Sequence, residues 1–183
     1  MMQENRRIEI RMAAVLTAVT LVSGFSLAFV WKSSAEKIHR NQEKEIESGI
    51  KKIFPGADKF EKKGSGKFIF YKLFKGAEFA GYSFITAGDG FQGEIKILCG
   101  MNPDLSQVSG VEILENVETP GLGNRITEEG FRGQLKGKTS PLFLNDSSRK
   151  DGVDAITGAT ISSKSVIAIL NNGMDKLKKE VNQ

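Results

Sequence analysis

The stretch AEFAGYSFITAGDGFQGEIKILCG, residues 77–100, decides the fold of this chain. It contains two runs rich in aromatic and β-branched residues, and the turn-forming series Gly-Asp-Gly separates them, which is typical of two strands joined by a tight connection. A similar run, KFIFYKLF, precedes it at residues 67–74, and another, VSGVEILENVE, follows it at residues 108–118. Four consecutive short strands predict an antiparallel meander.

Helical patterns lie on both sides of the predicted strands. Before the strands, residues 34–52 place isoleucines roughly on one helical face, and Pro55 follows where the pattern ends. After the strands, Thr127 and the two acidic residues behind it predict a capped second helix. A last amphipathic helix is predicted from about residue 162 to residue 179. This order predicts an α+β domain, an antiparallel sheet with flanking helices.

An uncharged segment, MAAVLTAVTLVSGFSLAFVW, occupies Met12 to Trp31. About 20 apolar residues is the length that a helix needs to cross a bilayer core, so the segment predicts one transmembrane helix. A secretory signal peptide is the alternative, but the run is longer than the usual apolar region of such peptides and lacks a clear small-residue cleavage site. The predicted organisation is a cytoplasmic tail (1–11), a transmembrane helix (12–31), a stalk with an entry helix (32–56) and a folded domain (57–183).

Positive charges flank the apolar segment on both sides, so their distribution does not decide its orientation. Long domains translocate largely regardless of such charges, and the N-terminal tail is short. We therefore expect the N-terminus in the cytoplasm and the domain outside.

Charge and cysteine content exclude several classes of function. The net charge is +4, but basic residues alternate with acidic ones and no basic stripe carries regularly spaced aromatic residues. Cys99 is the single cysteine, so the chain has no internal disulfide and no cysteine-rich metal or iron–sulfur site. The sequence therefore predicts neither a nucleic-acid partner nor a bound metal.

The stretch GVDAITGATISSKSV, residues 152–166, places Thr157 and Thr160 around a Gly-Ala pair, directly before the last predicted helix. Gly158 permits a tight loop, and a helix that begins beyond it presents unpaired N–H groups and a positive dipole end, where a phosphate is stabilised. By itself, a threonine before a helix is typical of a helix cap. These residues alone leave both interpretations open.

Two segments together resemble a known family. Residues 154–163, Asp-x-x-Thr-Gly-Ala-Thr followed by Ile-Ser-Ser, resemble the flavinylation signature of the FMN-binding domain in the G subunits of Rnf complexes and in the C subunits of sodium-pumping NADH:quinone reductases. The segment ENVETPGLGNRI, residues 115–126, is similar to the Glu-Thr-Pro-Gly-Leu-Gly segment that lies against the flavin in that family. The length of the chain resembles that of the G subunits.

The resemblance implies a covalent FMN, joined by a phosphoester to Thr160 and installed by a dedicated flavin transferase. Thr160 would be an attachment point, so no residue is expected to be catalytic. The further cofactor-binding positions that the resemblance implies are Asp154, Thr157, Gly158, Ala159, Ser162, Glu118, Thr119, Pro120, Gly121, Leu122 and Gly123.

For function, the resemblance implies a membrane-anchored electron-transfer subunit of an Rnf-type complex, which couples ferredoxin:NAD+ electron transfer to translocation of Na+ or H+. The chain would have no independent activity, and its partners would be the integral membrane, flavin and iron–sulfur subunits of that complex. The family places this domain on the outer face of the cytoplasmic membrane. The alternatives are a flavinylated carrier of a quinone reductase or extracellular reductase, and a non-redox single-pass binding protein.

Overall fold

The computed structural model describes residues 2–64 and 68–182, and they form two compact units, one that ends at Lys44 and one that begins at Glu45. Short 3-10 helices occupy Gly123–Thr127 and Gly133–Leu135. The other elements, in chain order, are α1 (Met2–Ile53), β1 (Lys59–Lys63), β2 (Phe70–Lys75), β3 (Glu78–Asp89), β4 (Glu94–Met101), β5 (Val108–Glu115), α2 (Glu129–Arg132) and α3 (Thr160–Val181).

Helix α1 is continuous from Met2 to Ile53, whereas the sequence pattern suggested a transmembrane helix and a separate helix in the stalk. No proline lies within it, so no residue removes a backbone hydrogen bond between the two predicted segments. The large apolar side chains from Met12 to Trp31 are all more than half exposed, and the most apolar window has a mean hydropathy of 2.1. This N-terminal helix is therefore long and apolar enough to span a membrane, as predicted.

The five strands form one antiparallel sheet in the order β1-β2-β3-β4-β5, so each strand pairs with its neighbour in sequence. This meander confirms the predicted α+β class. Strand β1, with the sequence KFEKK, was not predicted because most of its side chains are charged and exposed. It lies at the edge of the sheet, where lysines discourage pairing with further strands.

Helices cover both faces of the sheet in the second unit. On one face, Ile50 and Ile53 at the end of α1 pack with Leu73 and Leu98. On the other face, α3 packs against β3 and β4 and closes the larger core. That core includes Phe84, Ile95, Ile97, Met101, Val166, Leu170, Met174 and Leu177.

The backbone of α3 approaches the sheet closely at Gly173. A Cβ at this position would overlap the ring of Phe84 and lie 2.9 Å from the Cβ of Thr86. The backbone of α3 therefore lies directly on β3, and this contact helps to fix the position of the whole helix, including its first residue.

Two predicted helix starts differ from the structure. Helix α3 begins at Thr160, one half-turn before the predicted start near Ser162. Thr127 does not cap α2: it ends a 3-10 helix, and its hydroxyl donates to the carbonyl of Asn124 at 2.9 Å. Glu128 occupies the N-cap position of α2 without a capping side-chain hydrogen bond.

Candidate functional site

A tight turn leads into α3. The backbone N–H of Ala159 donates to the carbonyl of Ile156 at 2.9 Å, and Gly158, the third residue of the turn, has a φ of +81° that favours glycine. The buried hydroxyl of Ser163 donates to the Ala159 carbonyl and accepts from the Ile156 N–H, both at 3.0 Å. Ser163 therefore stabilises this turn from within the helix.

Neither threonine of the motif caps α3. Ala159 occupies the N-cap position, with no side-chain capping hydrogen bond, and Thr160 is the first helical residue. Thr157 and Thr160 are both exposed, and neither hydroxyl has a hydrogen-bond partner within residues 2–64 and 68–182. The first N–H groups of the helix lack intrahelical acceptors, as at any helix start. The cap interpretation is therefore wrong, and the hydroxyl of Thr160 is accessible at the positive end of the helix.

The segment after β5 forms a second tight turn. The N–H of Leu122 donates to the carbonyl of Thr119 at 3.1 Å, with Pro120 and Gly121 as the central residues. Gly121 has a φ of +77°, which fits the glycine position of a type II turn. A Cβ at Gly121 would meet no atom within 4 Å, so the backbone conformation, not space, requires glycine there.

We expect Gly121→Ala to destabilise the protein by about 1 kcal/mol, because a Cβ strains the left-handed backbone without causing a clash. Thermal unfolding of the full chain in detergent measures this. Gly130→Ala is the matched control, since a Cβ at Gly130 also meets no atom within 4 Å but the residue has no positive φ. Equal stability of the two variants would contradict the backbone explanation.

Glu118 connects three segments of the site. Its side chain is only 5% exposed. Oε1 accepts the backbone N–H of Phe91 at 2.7 Å and that of Gln92 at 3.1 Å, and Oε2 accepts the hydroxyl of Ser162 at 2.6 Å. Burial raises the pKa of Glu118, but the hydrogen bonds from Ser162, Gln92 and Phe91 outweigh it, so the pKa lies below its usual value. Glu118 is therefore ionised at neutral pH.

Two glycines leave room for this carboxylate. A Cβ at Gly90 would overlap Oε1 of Glu118, and a Cβ at Gly123 would overlap Oε2 and lie 2.7 Å from Oγ of Ser162. The family resemblance places Gly123 among the cofactor-binding positions. In the structure, the missing side chain of Gly123 makes room for Glu118 and Ser162.

Four exposed apolar side chains lie in the first turn of α3 or in the segments that Glu118 and Gly158 bring next to it. We call Phe91, Val117, Leu122 and Ile161 the apolar rim; they are between 49% and 66% exposed. Leu122 lies beside Gly158, since a Cβ on that glycine would be 3.5 Å from Cδ2 of Leu122. A cluster of exposed apolar residues next to a functional motif is typical of a binding surface.

Asp154 makes its contacts outside this cluster. Its Oδ1 accepts from Nδ2 of Asn145 at 2.6 Å, and its backbone N–H donates to Oε1 of Gln134 at 2.8 Å. These contacts fix the position of Asp154, which precedes the turn before α3. The structure thus brings five of the predicted residues together near Thr160: Glu118, Leu122, Gly123, Gly158 and Ser162. Asp154 forms no hydrogen bond with these described residues, and its own hydrogen bonds fix the segment that precedes the turn.

Several residues of the site were not predicted from the sequence. They lie outside the two motifs in the sequence, and only the folded chain brings them into contact with the motif residues. They are Phe91, Gln92, Gln134 and Asn145.

The start of α3 is suited to a phosphate group. It combines an exposed hydroxyl, the uncapped N–H groups of the first turn and the positive end of a 22-residue helix. By contrast, no group of three or more His, Cys, Asp or Glu residues suitable for a metal ion is present in the part of the chain that the structure describes.

Comparison with known proteins identifies the domain. Residues 90–175 match the family described as FMN-binding domain. The structure of the C subunit from the Na+-translocating NADH-quinone reductase of Parabacteroides distasonis has a TM-score of 0.53 to this chain, at 24% identity over 58% of this chain and 59% of that chain. The structure of Shewanella oneidensis NqrC has a TM-score of 0.51 to this chain, at 21% identity over 69% of this chain and 73% of that chain. The family match identifies an FMN-binding domain in this chain, and the two solved structures share its fold.

Sequence relatives identify the family. The G subunit of an ion-translocating oxidoreductase complex from Methanosarcina acetivorans is 29% identical over 90% of this chain and 92% of its own length. The G subunit of a proton-translocating ferredoxin:NAD(+) oxidoreductase complex from Clostridium ljungdahlii is 32% identical over 82% of each chain. The chain belongs to the family of these G subunits.

Proposed function

We propose that this chain is an electron-transfer subunit of an Rnf-type ion-translocating oxidoreductase complex, and that it carries FMN as a phosphoester on Thr160. The observation that carries the proposal is the state of the Thr160 hydroxyl. It is exposed at the start of α3, and no described residue uses it as a hydrogen-bond partner. Membership in the G-subunit family and the FMN-binding domain support the same conclusion.

Each residue near Thr160 has a role in this proposal. The N–H groups in the first turn of α3 stabilise the negative charge of the phosphate. Gly158 allows the turn that exposes Thr160, and Leu122 and Ile161 offer apolar surface beside it. Bound FMN supplies redox chemistry in one-electron and two-electron steps, while the protein sets its position and potential.

Attachment needs a second protein. A threonine hydroxyl is a weak nucleophile at its ordinary pKa, and the structure has no base hydrogen-bonded to Thr160 among the described residues. A dedicated flavin transferase would therefore activate the hydroxyl, which would attack the FMN phosphorus of FAD. The P–O bond to the AMP portion would break, and AMP would leave. In the proposal, the transferase recognises a sequence that includes Thr157 and Ala159. Asp154 fixes the segment that presents this sequence to the transferase.

The proposal places the FMN-binding domain, residues 57–183, on the outer side of the cytoplasmic membrane and residues 1–11 in the cytoplasm, with residues 12–31 spanning the bilayer and 32–56 as the stalk. The complex would couple ferredoxin:NAD+ electron transfer to movement of Na+ or H+. The name of the Clostridium ljungdahlii relative supports this reaction. The single cysteine of the chain supports the assignment of iron–sulfur clusters to partner subunits.

A flavinylated carrier of a quinone reductase is the second candidate. The fold shared with two C subunits of sodium-pumping reductases favours it. Both likenesses are below 25% identity and concern the fold alone, whereas the G subunits match most of the chain. The G-subunit assignment therefore has the stronger support.

Flavin fluorescence in a denaturing gel tests the proposal. When the chain is produced with a flavin transferase, we expect a fluorescent band at its mass, because only a covalent flavin remains bound after denaturation. The same chain produced without the transferase is the control and should give no fluorescence. A dark band in both samples would favour the non-redox binding protein.

A further inference from the structure

The buried carboxylate of Glu118 is held by neutral groups only. Its hydrogen-bond donors are two backbone amides, those of Phe91 and Gln92, and the hydroxyl of Ser162. No lysine, arginine or histidine among the described residues forms an ion pair with it. The negative charge of Glu118 is therefore stabilised locally but not cancelled by an opposite charge.

This charge lies close to the proposed attachment site. Ser162 is two residues beyond Thr160 in α3, and at a rise of about 1.5 Å per residue this places the carboxylate within about 10 Å of the Thr160 backbone. Exposed charges at this separation are strongly screened, since the Debye length is about 8 Å at physiological salt, but buried charges are screened much less. The charge of Glu118 therefore acts on groups bound at the start of α3.

The contacts of Glu118 also have a mechanical consequence. The loop between β3 and β4 carries Phe91 of the apolar rim, and Glu118 holds two successive amides of this loop. The same carboxylate holds the first turn of α3 through Ser162. Gly90 and Gly123 leave the space that the carboxylate occupies, since a Cβ at either position would overlap one of its oxygens.

We propose that Glu118 is a positioning residue that fixes the Phe91–Gln92 loop against the start of α3, and that its buried negative charge lowers the reduction potential of a flavin attached at Thr160. The second part rests on the proposed function. Reduction adds electrons to the flavin, and a nearby negative charge that no cation cancels opposes this gain.

The electrostatic part is tested with Glu118→Gln in the full chain, purified in detergent after flavin attachment. Glutamine keeps the shape of the side chain, its oxygen still accepts the two amides, and its NH2 group can donate to Ser162. We expect the midpoint potential to become more positive. Glu115→Gln is the matched control: it removes the same charge at the end of β5, where the side chain is 51% exposed and paired with Lys96, and should leave the potential unchanged.

The possible outcomes separate the two proposals. A wild-type chain without a flavin adduct, by mass spectrometry, contradicts the proposed function. An adduct in wild type and Glu118→Gln with equal midpoint potentials overturns the electrostatic role of Glu118. Loss of the adduct in Glu118→Ala, which removes the three hydrogen bonds, but not in Glu118→Gln, supports the positioning role. Loss of the adduct in Glu118→Gln as well would show that attachment needs the charge and not the hydrogen bonds, which overturns the positioning role.

Amide hydrogen exchange in the flavin-free full chain tests the positioning role without a redox measurement. We expect the amides of Phe91 and Gln92 to be protected in the wild type, although the side chain of Phe91 is 60% exposed. Glu118→Ala should accelerate their exchange by about tenfold or more, since hydrogen bonds to a charged group are lost. Wild-type amides that exchange as fast as those of an unprotected loop would overturn the positioning role, even if no variant folds.

Discussion

Thr160→Ala is expected to abolish the covalent flavin completely, because it removes the hydroxyl that would form the phosphoester. Intact-protein mass spectrometry of the chain matured with its transferase should show one FMN in the wild type and none in the variant. Thr160→Ser keeps a hydroxyl and should be partly modified. Peptide mapping of the wild type should place the adduct on Thr160.

The fold should not be affected by this change. The Thr160 side chain is exposed and makes no hydrogen bond with the described residues, and alanine favours helices, so we expect the stability to change by less than about 0.5 kcal/mol. Thr157→Ser is a control that leaves a hydroxyl at each motif position. An adduct mapped to Thr157, or an undiminished adduct in Thr160→Ala, would contradict the assignment.

A cysteine at Ser147 is expected to react from outside the cell with a probe that does not cross membranes. Ser147 is exposed in the segment between Asp146 and Gly152, so its position makes a substituted thiol accessible. Labelling of whole cells, compared with labelling after lysis, gives the side of the membrane. Labelling only after lysis would place the domain in the cytoplasm and contradict the proposed topology.

The native cysteine provides the control for this experiment. Cys99 is fully buried in β4, and burial raises the pKa of its thiol, which keeps it protonated and unreactive. The chain without the Ser147→Cys substitution should therefore remain unlabelled in both conditions. Keeping Cys99 also avoids placing a serine hydroxyl in the core.

The strands that form the core could be predicted because their apolar side chains follow the pattern of a buried sheet. Strand β1 could not, since Lys59–Lys63 is charged at most positions and is defined by its pairing with β2. The start of the short helix α2 also differs from its prediction. Thr127 followed by acidic residues has the composition of a helix start, but the Thr127 hydroxyl donates to the carbonyl of Asn124 instead. Local composition does not specify which of two nearby backbone groups a hydroxyl will contact.

The backbone of the candidate site was predictable where it follows a contiguous motif, whereas cofactor binding at these residues stays a prediction. Thr160 lies at the start of α3, and Gly121 and Gly158 have the positive φ angles that tight turns require. The position of Glu118 was not predictable in this way. Glu118 contacts Phe91, which is 27 positions away in the sequence, and Ser162, which is 44 positions away. No periodicity or spacing in the sequence predicts such pairs.

The order of the elements along the chain separates contacts that are close in sequence from contacts that are distant. Each strand pairs with its sequence neighbour, which keeps the contact order of the meander low. Helix α3 is different: the hydroxyl of Thr86 reaches the carbonyl of Ile169 across 83 positions, and the larger core is complete only when the last helix is in place. A chain that stops before residue 160 leaves one apolar face of its sheet uncovered and prone to aggregate. Thr160 acquires its final surroundings only when α3 packs on the sheet, so the proposed attachment site depends on completion of the larger core.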